Sequence, residues 1–458
     1  MTIEFLRHFY RATDPGKPLF AQDPEDQKLY IDFSEVRGGQ IIEELKDNIS
    51  FFSPDSPTCS LFTGHIGCGK STELLRLKLE LEQEGFHVVY FESSQDLEMA
   101  DVDIGEVLLA IARQVSQSLQ DISLVEPRRL KEFLAGALEV LNSEVTGIKL
   151  KIPGLKLLGD SLGDVGMTSD KDKFSLYFGI GEITTRTKSD ARLRERLNRY
   201  LGPQKNQLVD AINQELLEPA IASLKAIGKN GLVVIVDNLD RLDSRPKDWG
   251  RPQPEYLFVD QGDCLNRLNC HVVYTMPLGL KFSKEYGNLT QRFTDEPKVL
   301  PMVSVKHPDG EICEKGMQQL RQMLLVRAFP NLNESERIEK IPELFENAET
   351  LDRLCAISGG HVRDILSILN AWIRKNKQLP LLRETLEAVI RSRRNEMVMV
   401  MSDADWELLR QVRQRKKVSG IDGYEKLINS RLVFEYRQNQ ESWFDINPLL
   451  AEAKEMQD

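Results

Sequence analysis

The chain has 458 residues, 41% hydrophobic and 29% charged, with a formal net charge of −11. At about 150 residues per domain, that length predicts two to four domains with real cores. The acidic balance excludes a globally basic nucleic-acid binder, although not a local basic patch. Cys59, Cys68, Cys264, Cys270, Cys313 and Cys355 show no C-x-x-C spacing. They are expected to be reduced thiols of a cytoplasmic protein rather than zinc ligands or disulfides. The first residues carry no signal-peptide apolar region, and no run approaches the roughly 18 apolar residues that span a bilayer, so no membrane partner is expected.

Residues 1–48 are mixed, with turn signals at Asp14-Pro15-Gly16 and Asp23-Pro24. YIDFSEVRGG, from Tyr30 to Gly39, precedes an amphipathic helix expected over Gln40–Ile49. Then comes SLFTGHIGCGKSTELLRL, from Ser60 to Leu77. Gly64, Gly69, Lys70 and Ser71 fit G-x-x-x-x-G-K-[ST], the Walker A pattern, with Gly67 a third glycine of the loop. A short buried strand before it and a leucine-rich helix over Thr72–Glu82 supply the context that the motif requires. The glycines turn backbone N–H groups toward phosphate oxygens, and the positive end of the helix faces the same phosphates. In this reading Lys70 reaches the β- and γ-phosphates, Thr72 completes the binding segment, and the Ser71 hydroxyl ligates Mg²⁺. His65 and Cys68 read as loop fillers. Tyr30, Ile31 and Val36 are weak candidates for an adenine wall, with plain core packing favoured for each.

Val88–Phe91 reads as the next core strand, and Val107–Leu119 and Pro127–Leu141 as helices. Val145–Ile183 reads as an insertion of strands or an irregular excursion. Arg186–Tyr200 carries five arginines and a lysine, with Arg192, Arg196 and Arg199 on one helical face. Such a run is more often a solvated surface than a phosphate-sensing or intersubunit one. GLVVIVDNLDRLD, Gly231–Asp243, supplies the second acidic site. Leu232–Val236 is a continuous apolar run, as in a parallel strand buried on both faces. Asp237 falls at its carboxyl end, where open α/β sheets place ligands, and is the second candidate metal ligand. Asp240 is the candidate for orienting an attacking water; the alternative is an ion pair with Arg241 or a helix cap.

His271–Thr275 reads as another core strand, and Thr275 at its end is a candidate γ-phosphate contact or an ordinary strand-end hydrogen bonder. Arg292 precedes a final strand expected over Val299–Val305. It is either a surface arginine or a finger into a neighbouring subunit's nucleotide, a device that contributes about 10³–10⁵ in rate where it operates. Residues 311–396 are helical in pattern and contain the turn SGGHVRD, Ser358–Asp364, which brings Arg363 to a helix start. Residues 403–458 read as helix, helix, hairpin: Asp403–Arg415 with an N-cap at Ser402 or Asp403, Gly423–Arg431, then Leu432–Tyr436 and Trp443–Asn447. That order is the order of a winged helix. Its basic residues, Arg410, Arg413, Arg415, Lys416 and Lys417, are matched by acidic ones, which tilts the reading from DNA toward a protein partner.

GHIGCGKST, VVIVDNLDRL, VVYTMP and SGGHVRD, in this order and followed by a winged helix, resemble the P-loop ATPases of the AAA+/STAND continuum. VVIVDNLDRL is most similar to the KAP and NACHT side of that group. SGGHVRD resembles the sensor-2 turn in the helical lid of replication-initiator and STAND ATPases. The resemblance implies an α/β P-loop NTPase core with a parallel sheet, an α-helical lid and a C-terminal winged helix. The expected bounds are 1–48 flanking the nucleotide site, 49–305 for the core with an insertion near 143–200, 306–396 for the lid and 397–458 for the winged helix. It implies ATP and Mg²⁺ as ligands, with Arg363 reading the γ-phosphate and coupling hydrolysis to lid movement. Asn238 departs from the glutamate that AAA+ enzymes use as catalytic base, which suits slow turnover. The expected function is a switch ATPase that couples nucleotide state to lid and winged-helix rearrangement and to homo-oligomerisation or partner-protein binding, in signalling or anti-phage defence. The alternative is a DNA-binding loader or initiator-like ATPase. A small-molecule kinase fits the appended units poorly, and no guanine-reading NKxD segment favours GTP.

Overall fold

A computed structural model describes residues 2–120, 127–142, 176–247, 249–418 and 423–456. Seven strands are present among them: β1 (Cys59–Gly64), β2 (His87–Glu92), β3 (Leu232–Asp237), β4 (His271–Thr275), β5 (Lys298–Leu300), β6 (Val433–Gln438) and β7 (Glu441–Ile446). The first five form one sheet in the order β2-β3-β4-β1-β5, and β6 and β7 form a separate hairpin. The fold is α/β, of the P-loop NTPase type, with the glycine loop between β1 and the helix Lys70–Gln83. Backbone contacts divide the chain into two compact units, one of Met1–Ser53, Ser60–Glu84 and Tyr274–Asp458, the other of Pro54–Cys59 and Gly85–Val273.

In the first unit, β1 pairs in parallel with β5, Phe62 opposite Lys298 and Gly64 opposite Leu300. The expected strand Val299–Val305 is shorter than read: the ladder stops at Leu300. Pro301 has no N–H to donate, and the residues after it turn to other partners, Met302 N–H to the Glu435 carbonyl (2.9 Å) and Ser304 N–H to the Val36 carbonyl (3.3 Å). Four long helices follow: Glu314–Ala328, Ala348–Ile357, Val362–Asn376 and Arg383–Val398. Their apolar faces build one core around Leu324, Leu354, Leu369 and Trp372. Phe9 of the N-terminal helix Ile3–Ala12 and Phe33 and Val36 join the same core. The N-terminal segment therefore packs on the helical region, a use that its mixed composition does not announce. The expected amphipathic helix is present as Ile41–Asp47 and runs on through a wider turn, Asn48–Phe52.

The C-terminal residues follow the expected helix, helix, hairpin order. Asp403–Arg415 is capped by Ser402 in a reciprocal box with Asp405, Tyr424–Asn429 is the second helix, and β6 and β7 pair antiparallel. Asn439 and Gln440 make the two-residue turn at φ 50° and 69°, the left-handed pair that suits the twist of a hairpin. Trp406, Leu409, Leu427, Val433 and Phe444 form the core of this region.

In the second unit, β2 and β3 pair in parallel from His87–Leu232 through Glu92–Asp237. Every residue of β3 is buried, as its unbroken apolar run predicts. Among the described residues the chain between these strands holds no strand; its longer helices are Ile104–Ser118, Arg128–Asn142, Leu176–Ser189, Ala191–Leu201, Lys205–Ile212 and Glu218–Ala226. The strand-or-excursion reading of Val145–Ile183 lies outside the described residues up to 175 and is overturned from Leu176 on. There Ile180, Ile183, Thr184 and Thr187 are buried at helical spacing, so the 3.6-residue period prevails over the apparent alternation. The arginine run breaks at Asp190, which caps the second of its two helices. Arg194 is buried against Asp101 (3.1 Å) and the Thr187 carbonyl (2.8 Å), while Arg199 pairs with Glu195 on an exposed face. All six cysteines are free thiols, and no described helix is long and apolar enough to cross a membrane.

Candidate nucleotide site

The phosphate loop belongs to the first unit. β1 ends at Gly64, and the loop reaches the helix through Gly67 and Gly69, at φ 93° and 110°. Those are left-handed values that side chains with a Cβ rarely adopt. Lys70 and Ser71 are the first two helical residues, at the positive end of the helix dipole. Lys70 Nζ is folded into the loop, 2.8 Å from the Gly64 carbonyl and 3.0 Å from the His65 carbonyl. Ser71 is half-buried. The Thr72 hydroxyl accepts the Leu19 N–H (3.3 Å), which ties the N-terminal segment to the base of the loop. Glycine backbone, a lysine amine and a helix start make a cradle that suits a phosphate chain, and Ser71 offers a hard oxygen of the kind that Mg²⁺ takes.

Two arginines hold the loop from outside. Arg37, 2% exposed and stacked on Phe33, donates to the Cys68 carbonyl at 2.6 Å. Arg363 N–H donates to the Gly67 carbonyl at 3.0 Å. The expected lid arginine is thus brought to the phosphate loop, through its backbone. Gly359 and Gly360 turn into this helix at φ 59° and 76°, and His361 caps it by accepting the Asp364 N–H (3.0 Å). Its other ring nitrogen donates to the Ile66 carbonyl (2.9 Å). A Cβ on Gly67 would lie 2.8 Å from both Arg363 Cβ and the His361 ring, so the third loop glycine is required by the lid turn as well as by its own φ.

His65 is no mere filler. It is 2% exposed, and its Nε2 accepts the Glu435 N–H of β6 at 3.0 Å. Burial, the neighbouring His361 and Lys70 push its basicity well down, and burial lowers that of His361 against the pull of Asp364. Arg37, His65 and His361 were missed as site residues because a pattern of residue types does not show which loop backbone a side chain will meet.

Thr275 is fully buried at the end of β4; the next residue, Met276, donates its N–H to the Phe62 carbonyl (3.0 Å) and accepts the Thr63 hydroxyl (2.8 Å). Thr275 therefore neighbours the strand that feeds the loop. Arg292 is the last residue of the helix Tyr286–Arg292 and is exposed. Val36 lies in the helical core and Ile31 packs against it, which is the core-packing reading. Tyr30 donates to Glu73 (3.3 Å) and lies beside Arg76, where burial raises the Glu73 carboxyl above its usual range.

The acidic candidates belong to the second unit. Asp237 is 1% exposed at the end of β3; its carboxylate accepts the Tyr90 hydroxyl (2.8 Å) and the Asn238 N–H (2.6 Å). Asn238 is left-handed at φ 67°, and Asp240 is buried in the turn Leu239–Arg241. The β2–β3 register adds a residue that the linear pattern hides: Glu92 stands directly beside Asp237. Parallel strands separated by some 140 residues of chain carry no spacing rule, so only the pairing reveals that carboxylate.

No family model matches the chain, and no curated protein matches it. Solved structures similar to it include a Walker-type ATPase of Pyrococcus abyssi, at 13% identity and TM-score 0.39, covering 98% of this chain and 100% of that one. The ORC2 protein of Aeropyrum pernix, in ADPNP–ADP complexes, shows 13% identity and TM-score 0.41 over 98% of this chain and 95% of its own. The ORC1 protein of Aeropyrum pernix in complex with DNA shows 15% identity and TM-score 0.35 over 90% and 91%. Likeness of that degree leaves what this chain does to its own residues.

Proposed function

We propose that this chain is an ATP-binding P-loop ATPase of the AAA+ type, coupling the state of its nucleotide to the position of its C-terminal helix–helix–hairpin region, a winged helix. The observation that carries this reading is the packing of the phosphate loop, whose Ile66 and Gly67 carbonyls are bonded by the SGGHVRD turn. A turn that reads the loop backbone is placed to feel what the loop holds. Lys70, the loop N–H groups and the helix start bind the triphosphate. Ser71 and Asp237 hold Mg²⁺, which when bound neutralises charge developing on the phosphates. Thr275 contacts the γ-phosphate, Arg363 carries its presence to the lid, and Arg292 is the residue a second copy would offer in trans. Asp240 orients the attacking water; Asn238, an amide, cannot take its proton. Slow hydrolysis follows, as fits a switch controlling oligomerisation or partner binding in signalling or defence.

A DNA loader or initiator-like ATPase is the second reading, and the names of the solved structures, ORC proteins and one of them bound to DNA, go with it. Against it, four basic residues of the C-terminal region have partners within it. Arg410 and Arg413 donate to the Glu455 and Met456 carbonyls, Lys416 pairs with Asp445 (2.8 Å) and Lys426 with Asp405 (2.9 Å). Steady-state ATP hydrolysis, measured across protein concentration with and without duplex DNA and with Lys70→Ala as blank, separates the readings. Slow turnover that rises with protein concentration and ignores DNA supports the switch; stimulation by DNA that fades with salt supports the loader. A wild type as silent as the blank, with no ATP bound, refutes both.

A further inference from the structure

The β6–β7 hairpin is seated on the phosphate loop itself. The Phe434 ring is stacked on His361, centroids 5.7 Å apart at 12°, and meets His65 edge-on at 5.6 Å and 78°. The next residue, Glu435, donates its N–H to His65 Nε2 and accepts the Met302 N–H, so its backbone is spent on the loop and on the segment after Pro301. The Tyr436 hydroxyl donates to the Gly359 carbonyl at 2.8 Å. A Cβ on Gly359 would fall 2.8 Å from the Phe434 ring. Three successive hairpin residues thus hold the second residue of the loop and the lid turn at once. Phe434 and Tyr436 are buried, and so are both histidines.

We propose that this hairpin is a nucleotide-sensitive clasp: it holds the loop through His65 while Lys70 is bonded to the loop's own carbonyls, and ATP loosens it. Lys70 must leave the Gly64 and His65 carbonyls to reach the β- and γ-phosphates, which withdraws two bonds from the backbone that presents the His65 ring. A ligand shifts a conformational balance only through contacts that differ between its states, and His65 is the residue where nucleotide contacts and hairpin contacts meet. ADP, lacking the γ-phosphate, draws on Lys70 less and loosens the hairpin less. Coupling is reciprocal, so a weakened clasp raises affinity for ATP. What the undocked hairpin exposes is Phe434 and the β6 edge, a surface that a partner can cover. This inference rests on the reading of the loop as an ATP site.

Hydrogen exchange over residues 433–446 of the full chain tests it, with and without Mg²⁺ and a non-hydrolysable ATP analogue whose binding is followed separately by titration. The expected result is exchange about tenfold faster with the analogue and less affected by ADP. Phe434→Leu should exchange faster without nucleotide and bind the analogue about fivefold more tightly. Tyr436→Phe, which removes one hydroxyl and no volume from the core, should shift both readouts the same way by less. Analogue that binds while the hairpin's exchange is unchanged or slower overturns the clasp and leaves the ATP reading standing. Absence of analogue binding overturns the ATP reading and the clasp with it.

Discussion

Lys70 Nζ bonds the Gly64 and His65 carbonyls at 2.8 and 3.0 Å, and in the proposed function it exchanges them for the phosphates of a nucleotide. Lys70→Ala should lower ATP affinity by at least about 1.4 kcal/mol, a factor of ten, on the scale of one charge-assisted bond. Equilibrium binding of an ATP analogue checks this, and unchanged affinity would count against the loop as the binding site. Hydrolysis divides the acidic residues. Asp240→Asn is expected to reduce turnover about a hundredfold with little change in ATP affinity, as for a group that positions water. If Glu92→Gln does this and Asp240→Asn does not, the water belongs to the carboxylate on β2. The buried histidines supply a pH dependence. Both are harder to protonate in the fold than the ordinary value of 6.5, so below pH 6.5 the unfolded chain takes up protons that the fold refuses. Stability from them is complete above that pH and is lost as pH falls, at no more than about 1.4 kcal/mol per unit per histidine. The charged side chains facing them are Lys70, Arg363 and Arg431, which disfavour the charged rings, and Asp364, which favours the charged ring at His361, as do the backbone of Ile66 there and that of Ile428 at His65. Melting temperatures from pH 7 to 5 should fall faster for the wild type than for His65→Gln, whose amide oxygen can still accept the Glu435 N–H; parallel curves would remove His65 from this account.

Element by element, the local chemistry that could be read in advance was the chemistry that acts within a few residues. The Ser402 cap, the buried run of β3 and the Asn-Gln turn each follow from side chains and backbone at that place. The glycine-lysine loop is of the same kind, because its phosphate cradle is made of consecutive N–H groups. β5 is shorter than the valines around it suggest because Pro301 cannot donate to the ladder. The helix Leu176–Ser189 was missed because Gly and Thr blur its period until burial of Ile180 and Ile183 reveals it. Gly360 is an element-scale test. A Cβ there would stand 1.8 Å from the Val303 carbonyl, at φ 76°. Gly360→Ala should cost more than about 2 kcal/mol, since neither backbone can yield cheaply, whereas Gly287→Ala, with open space around its Cβ and no left-handed backbone, should cost less. Denaturant midpoints of the two variants check the order; equal midpoints would mean that the lid turn is not held against Val303.

For the molecule as a whole, composition and charge bounded the choices and four short segments carried the functional reading. Acidic net charge disfavoured bulk binding of nucleic acid, and the internal pairing of Lys416 and Lys426 extends that argument to the C-terminal region. The glycine loop, the acidic end of β3, the turn before Val362 and the order of helices and hairpin behind it are legible in the chain, because each is encoded by residues that are neighbours there. It takes the packed chain to show that Glu92 stands beside Asp237, that Phe9 joins the core of the helices of residues 314–398, and that Phe434 lies between His65 and His361. Those contacts join residues from tens to hundreds of positions apart, and which pairs meet is settled by the burial of whole elements rather than by the preferences of any single stretch.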